Sequence, residues 1–358
     1  MDMISATHGM SKKAVLSILA TLMLVATSSF GSAQTVWKEG SLPSVVYRGT
    51  ALWIEDHALV IGGRSESGQL DTVVRFDPTS GETSIEPTRL PEPRESPSSV
   101  WTGQYVYVFA GEYLGVKSKD ILRYDPATGS IQKLQEELPM GLVGSSAIWY
   151  DSRSYVFGGH NTTTISDMIF VHDPALGTVS TLSARLPTQR AGMSAIFDGT
   201  HIYLFGGRRQ MDFFSAIIRF NPVTENVTVM QSELPSPRYA TSAIWDGEFA
   251  YIFGGADGGG SFDDILRFDP RNDTLTKLDV SLPTARDRTC AVWSGDVAYV
   301  FGGQRGTDGF SDIIAFDPQG VVEADDNFLL YLLVGTGGVL LLLVGVSRIL
   351  SRRSREGE

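Results

Sequence analysis

Residues 234–281 read LPSPRYATSAIWDGEFAYIFGGADGGGSFDDILRFDPRNDTLTKLDVS, and at Leu282-Pro283 the same text begins again. Working outward, the Leu-Pro pair recurs at Leu42-Pro43, Leu90-Pro91, Leu138-Pro139, Leu186-Pro187, Leu234-Pro235 and Leu282-Pro283, a period of 48 residues. Gly62-Gly63, Ala110-Gly111, Gly158-Gly159, Gly206-Gly207, Gly254-Gly255 and Gly302-Gly303 keep the same period. So do Asp77-Pro78, Asp125-Pro126, Asp173-Pro174, Asn221-Pro222, Asp269-Pro270 and Asp317-Pro318. Three markers in six copies without slippage define an internal repeat.

Each unit predicts four short strands, a to d. Strand a ends at Trp53, Trp101, Trp149, Phe197, Trp245 or Trp293, and a turn such as Asp246-Gly247 follows. Strand b carries Tyr107, Tyr155, Tyr203, Tyr251 and Tyr299 in register, with Leu59 in the first copy, and ends at the glycine pair. Small residues there permit a sharp turn or a close backbone approach. Strand c stops at Asp-Pro, because proline cannot continue a central ladder. Strand d, for example Ser130 to Leu134, has the weakest alternation. One such sheet cannot bury both faces alone, and six packed radially leave only short edges. The fold class is therefore all-β, a six-bladed β-propeller with four-stranded blades over residues 34–320. Residues 323–327 make a poor final strand, Glu-Ala-Asp-Asp-Asn, whereas Thr35-Val36-Trp37 stand in the strand-d register. The N-terminal strand is thus expected to complete the sixth blade beside residues 311–317.

The glycine pair, the spaced Tyr and Trp, and the Asp-Pro and Leu-Pro turns resemble Kelch repeats over roughly four fifths of the chain. The resemblance implies the propeller. It leaves the chemistry open, since one fold hosts many functions.

The two ends carry different information. Lys12-Lys13, the apolar run Ala14 to Ala26 and Gly31-Ser32-Ala33 read as a secretory signal over residues 1–33. Phe328 to Val346 has no charge and matches the length of a bilayer core, so residues 328–346 are expected to form one transmembrane helix. A linker, 321–327, precedes it. The tail, 347–358, holds Arg348, Arg352, Arg353 and Arg355, which places the C-terminus in the cytoplasm and the propeller outside, at the cell membrane. The net charge of -12 argues against nucleic-acid binding.

Loops b–c and d–a share one face of the disc. Loop d–a carries Arg94, Arg190, Arg238 and Arg286 in one register, with Val46 and Leu142 in the other two copies. These arginines are expected to ring the channel mouth, where paired N–H donors hold carboxylates. The Kelch resemblance implies the same, since arginines in similar places of some Kelch domains bind acidic peptides. The alternative is a repeat-consensus arginine that pairs with a neighbouring blade. The b–c loops vary most between copies and add Arg208, Arg209, Arg305, Phe213 and Phe262 as candidate ligand contacts, the two phenylalanines being either partner anchors or rim packing. Asp71, Asp120, Asp167, Asp263, Asp264 and Asp312 precede strand c in most copies and read as structural. His172 fills a slot held elsewhere by Phe76, Tyr124, Phe220, Phe268 and Phe316 and reads as packing, while Cys290 fills a small-residue slot. No histidine pair has metal-site spacing, so no metal and no cofactor are expected. Asn161, Asn226 and Asn272 open N-x-Thr sequons.

Two functions follow. The first is a membrane-anchored, extracytoplasmic interaction module that binds a protein or glycan at the b–c/d–a face. The second is a sugar-acting enzyme resembling the six-bladed sialic-acid mutarotases, with Glu112 or a b–c aspartate as acid or base. Copper radical oxidases of the galactose oxidase type share Kelch blades, but their Cys–Tyr crosslink has no counterpart in Cys290's consensus slot.

Overall fold

A computed structural model describes residues 33–321. They form six four-stranded antiparallel sheets. The fifth is typical: Ser242–Trp245, Ala250–Phe253, Asp264–Asp269 and Thr274–Ser281, in that order from the axis outward. The six a strands pack against one another in a ring around the axis. The sixth sheet differs. Its outermost strand is Ala33–Ser41, paired with Asp312–Val321 through Val36 opposite Phe316 and Trp37 opposite Ala315. The chain's first strand therefore closes its last blade.

Strand d is longer than its faint alternation suggests. Ser130–Glu137 spans eight residues and follows strand c across a register shift between Asp120 and Leu122. Its outer face is solvated, so few positions need to be apolar and the pattern is weak. Among the described residues no helix is long and apolar enough to cross a membrane. The segments read as signal (to Ser32), linker beyond Val321, span and tail lie outside the described residues.

Blades bind each other through one repeated aromatic contact. Phe268 meets the preceding blade's Tyr203 and Phe205 edge-on at 5.5 and 5.8 Å. Phe316 does the same to Tyr251 and Phe253, and Phe220 packs on Tyr155 and Phe157. Such pairs add about 0.5–1.5 kcal/mol beyond area burial. In the third blade His172 takes this place, wholly buried, 5.0 Å from Tyr107 and 5.6 Å from Phe109.

Burial pushes the His172 imidazole below its ordinary pKa, against a weaker opposing bond from Nε2 to Glu136 at 3.3 Å. The ring is thus neutral in the fold and takes a proton more readily when unfolded. The unfolded state then binds more protons below about pH 6.5, so this stability is present above that pH and lost as pH falls. His172→Phe is expected to flatten the acid side of the stability–pH curve. Chemical denaturation of both proteins between pH 7.5 and 5 checks this, and parallel curves would refute it.

Candidate functional site: the axial funnel on the loop face

Two layers of loop residues build the channel mouth. Tyr47, Glu95, Val143, Ala191, Tyr239 and Asp287 each form a backbone bridge to the first b–c loop residue of their own blade: Arg64, Glu112, His160, Arg208, Ala256 and Gln304. Both positions change chemically from copy to copy, while the backbone bridge does not.

Just inside, six left-handed residues form a closed circle: Arg48, Ser96, Gly144, Gly192, Ala240 and Arg288, with φ between 53° and 70°. The amide of each donates to the carbonyl of its counterpart in the adjacent blade. The bonds run Gly144 to Ser96 at 3.2 Å, Gly192 to Gly144 and Ala240 to Gly192 at 2.7 Å, Arg288 to Ala240 and Arg48 to Arg288 at 2.9 Å, and Ser96 to Arg48 at 2.6 Å. A positive φ disfavours β-branched side chains at these positions. Below the circle, hydroxyls tie strand a to its neighbour: Ser98 to Ser145 at 3.1 Å, Ser194 to Thr241 at 2.8 Å and Ser242 to Thr289 at 2.7 Å. Cys290 stands in this register, buried, its thiol pushed up to about 12 by that burial.

Above and around the circle lies a cavity of about 160 Å³. Its charged or titratable lining is Arg48, Arg208, Arg288, His160 and Tyr239, with no carboxylate among the lining residues. The three arginines are held differently. Arg48 donates to buried Glu95 at 2.9 Å, and Arg64 reaches the same carboxylate at 3.2 Å. Arg288 is ion-paired with buried Asp287 and donates to the Tyr239 hydroxyl at 2.7 Å. No salt bridge joins Arg208 to a carboxylate among the described residues. Its guanidinium lies over the Tyr239 ring at 4.4 Å, and Phe213 packs against that ring at 5.5 Å. Burial, and then the nearby charges of Lys117 and Arg208, hold His160 below its ordinary pKa, in part offset by its bond to the Asn161 carbonyl. The funnel therefore offers one uncompensated cation on an aromatic platform, two compensated cations and a neutral imidazole. That set suits a carboxylate or another anion.

The arginine register read from sequence is placed elsewhere. Arg94, Arg190, Arg238 and Arg286 are no more than 2% exposed and do not line the mouth. Each is an inter-blade staple. The Arg238 carbonyl accepts from Gly207 of one blade, while its Nη1 donates to the Gly254 carbonyl of the next at 3.1 Å. Asp264 accepts from the same guanidinium at 2.5 and 3.1 Å, and the Phe262 ring covers it at 4.0 Å. Arg286 repeats this with Gly302, Asp312 and Phe310. These guanidinium groups are enclosed by their own blades, and Phe262 is occupied as a cover. Chain geometry explains the difference. The register turns its side chain back between blades, and the residue two positions later reaches the axis.

Of the other candidates, Arg208 and Phe213 come together at Tyr239. Arg209 lies exposed at a hairpin tip, paired with Asp212 at 2.9 Å, and Arg305 stands on the equivalent hairpin of the sixth blade. Glu112, the candidate acid or base, is bound to Lys117 at 3.1 Å. Sequence reasoning missed Arg48, His160, Tyr239 and Arg288. One sign pointed to Arg48, Tyr239 and Arg288: the positions one and two residues after the arginine register are either chemically variable or glycine.

Residues 144–321 match the KLHDC2/KLHL20/DRC7 Kelch-repeats domain family. No curated protein matches the chain. Kelch propellers generally act as protein-interaction modules and bind protein partners. With six four-stranded blades repeating every 48 residues and this domain match, the chain is a Kelch-repeat β-propeller protein.

Proposed function

We propose that the chain is a membrane-anchored, extracytoplasmic binding module that takes an anionic segment of a protein or glycan in the axial funnel. The observation that carries this reading is a lining of three arginines without a carboxylate, one of them, Arg208, in no salt bridge among the described residues. An acidic group entering there gains a charge-assisted bond without breaking an existing pair. Tyr239 and Phe213 supply a flat contact beside it. The anchored, outward-facing placement rests on the basic-apolar start of the chain, the uncharged run 328–346 and the arginines after it.

The test is titration of the full chain with a glutamate-rich peptide and with N-acetylneuraminate, at low and at physiological salt. Arg208→Glu is expected to weaken binding of the preferred probe at least tenfold, on the order of 1.4 kcal/mol. Arg209→Glu, at the hairpin tip, is expected to change it little. Equal loss in both variants, or none in either, would place the ligand elsewhere. Protease protection of a C-terminal tag in intact cells tests the topology, and digestion of that tag from outside would reverse it.

A further inference from the structure

The opposite end of the channel has a different chemistry and is independent of the funnel. A second cavity of about 230 Å³ opens there, between blades one, four, five and six. The side chains that line it are apolar: Trp53, Phe197, Trp245 and Trp293 at the outer end, with aliphatic and alanine side chains of the a strands above them. Trp53 is already engaged, stacked on Tyr299 at 6.2 Å with its Nε1 donating to the Glu55 carbonyl at 3.0 Å. Among the described residues no ring or guanidinium stacks on Trp245 or Trp293, and both are only half-buried. Each packs on one side against the core between two blades and lines the cavity with the rest of its surface.

The charge at the rim selects the ligand. The a–b turns of these four blades directly follow the aromatic residues and carry Glu55, Asp56, Asp198, Asp246, Glu248 and Asp296. Asp56 is shared with His57 and Arg75, and Glu248 pairs with Arg271. Asp198 and Asp246 accept from groups of their own turns and from the strand-b hydroxyls of Tyr203 and Tyr251, with no ion pair, and no ion pair engages Glu55 or Asp296 among the described residues. An anion would be repelled here, and a neutral apolar molecule would gain nothing from the rim. A cation with an apolar body satisfies both parts. Its body fills the well, and its charge lies against the electron-rich indoles at the end of the well that the acidic turns follow.

We infer that this end of the channel is a binding site for an organic cation, an alkyl- or arylammonium compound. The cavity-lining surfaces of Trp245 and Trp293 are its cation–π platform, and the turn carboxylates set its preference for positive charge.

The experiment titrates the full chain with benzyltrimethylammonium, benzyl alcohol and phenylacetate, followed by tryptophan fluorescence and calorimetry at low salt. The cation is expected to quench the fluorescence at one site, at least tenfold more tightly than benzyl alcohol, with phenylacetate weakest. Ala243→Phe, which fills the well, is expected to weaken the cation at least tenfold. The surface variant Glu55→Gln with Asp296→Asn cannot empty the core. It is expected to cut the cation's advantage at least threefold while leaving benzyl alcohol unchanged. Equal affinity for the three probes, no binding of the cation, or a cation affinity that the surface variant leaves intact would each overturn the assignment.

Discussion

Asp264→Ala is expected to lower the unfolding free energy by about 3–5 kcal/mol, the usual result of stripping a buried ion pair of one member. Arg238 is 1% exposed and gives Asp264 two parallel bonds, so the variant leaves a guanidinium enclosed by its own blade and the Phe262 ring with no counter-ion. Water cannot take the place of the lost carboxylate without opening that enclosure. The fourth blade supplies the converse test. Ala216 occupies the position of Asp264 and Asp312, and burial alone pushes Arg190 down to about 10. Its Nε has no partner. Ala216→Asp is therefore expected to stabilise the protein by about 1–2 kcal/mol, since it adds a hydrogen bond to a charged group in a frame two sister blades already use. Thermal melts of the two variants should move in opposite directions. Movement in the same direction would show that the staple does not depend on its carboxylate.

Deletion of residues 34–41 is expected to have the larger effect. Those residues supply the outer edge of the sixth sheet, and Val36 and Trp37 pack into the cores on either side of that blade. Loss of the strand strips one ladder from Asp312–Val321 and exposes apolar surface on both blade faces. Two large side chains and their ladder sum to about 4–6 kcal/mol. For a domain of this size that corresponds to a fall in melting temperature of about 7–10 °C. Differential scanning calorimetry of the deletion checks this. Trp37→Ala should lower the melt by roughly a third as much. An unchanged melt in the deletion would mean that the ring is held without its N-terminal strand.

The blade count was legible because its markers are backbone requirements. Gly254 sits at φ 53°, and a Cβ there would stand 2.3 Å from the Arg286 carbonyl oxygen, so glycine holds this place in every copy but the second, where Ala110 takes the same turn at φ 60°. His172 was equally legible, since a slot filled elsewhere by Phe and Tyr describes a packed place between blades. The arginines show where such reading stops. Recurrence reveals that Arg94, Arg190, Arg238 and Arg286 share an environment, but does not tell in which direction a long side chain turns. A partial sign was present: aspartate stands at the start of strand c at 264 and 312, in the same units as Arg238 and Arg286. The funnel was least legible, because its residues are those that do not repeat. Tyr239 comes to lie beneath Arg208 only because the loops of two neighbouring blades converge at the axis, and no spacing along the chain records that.

The circle of six left-handed residues has a consequence for how such a chain can change its length. Each amide meets a carbonyl turned by one sixth of a full rotation, so the closed bond pattern acts as a gauge of copy number. Excision of one 48-residue unit would preserve every bond inside the remaining blades, yet five successive turns of that size would leave a gap. A seventh copy would leave no room. Gain or loss of a repeat by unequal recombination is therefore opposed at the axis itself, by main-chain geometry that no side-chain substitution can readily retune.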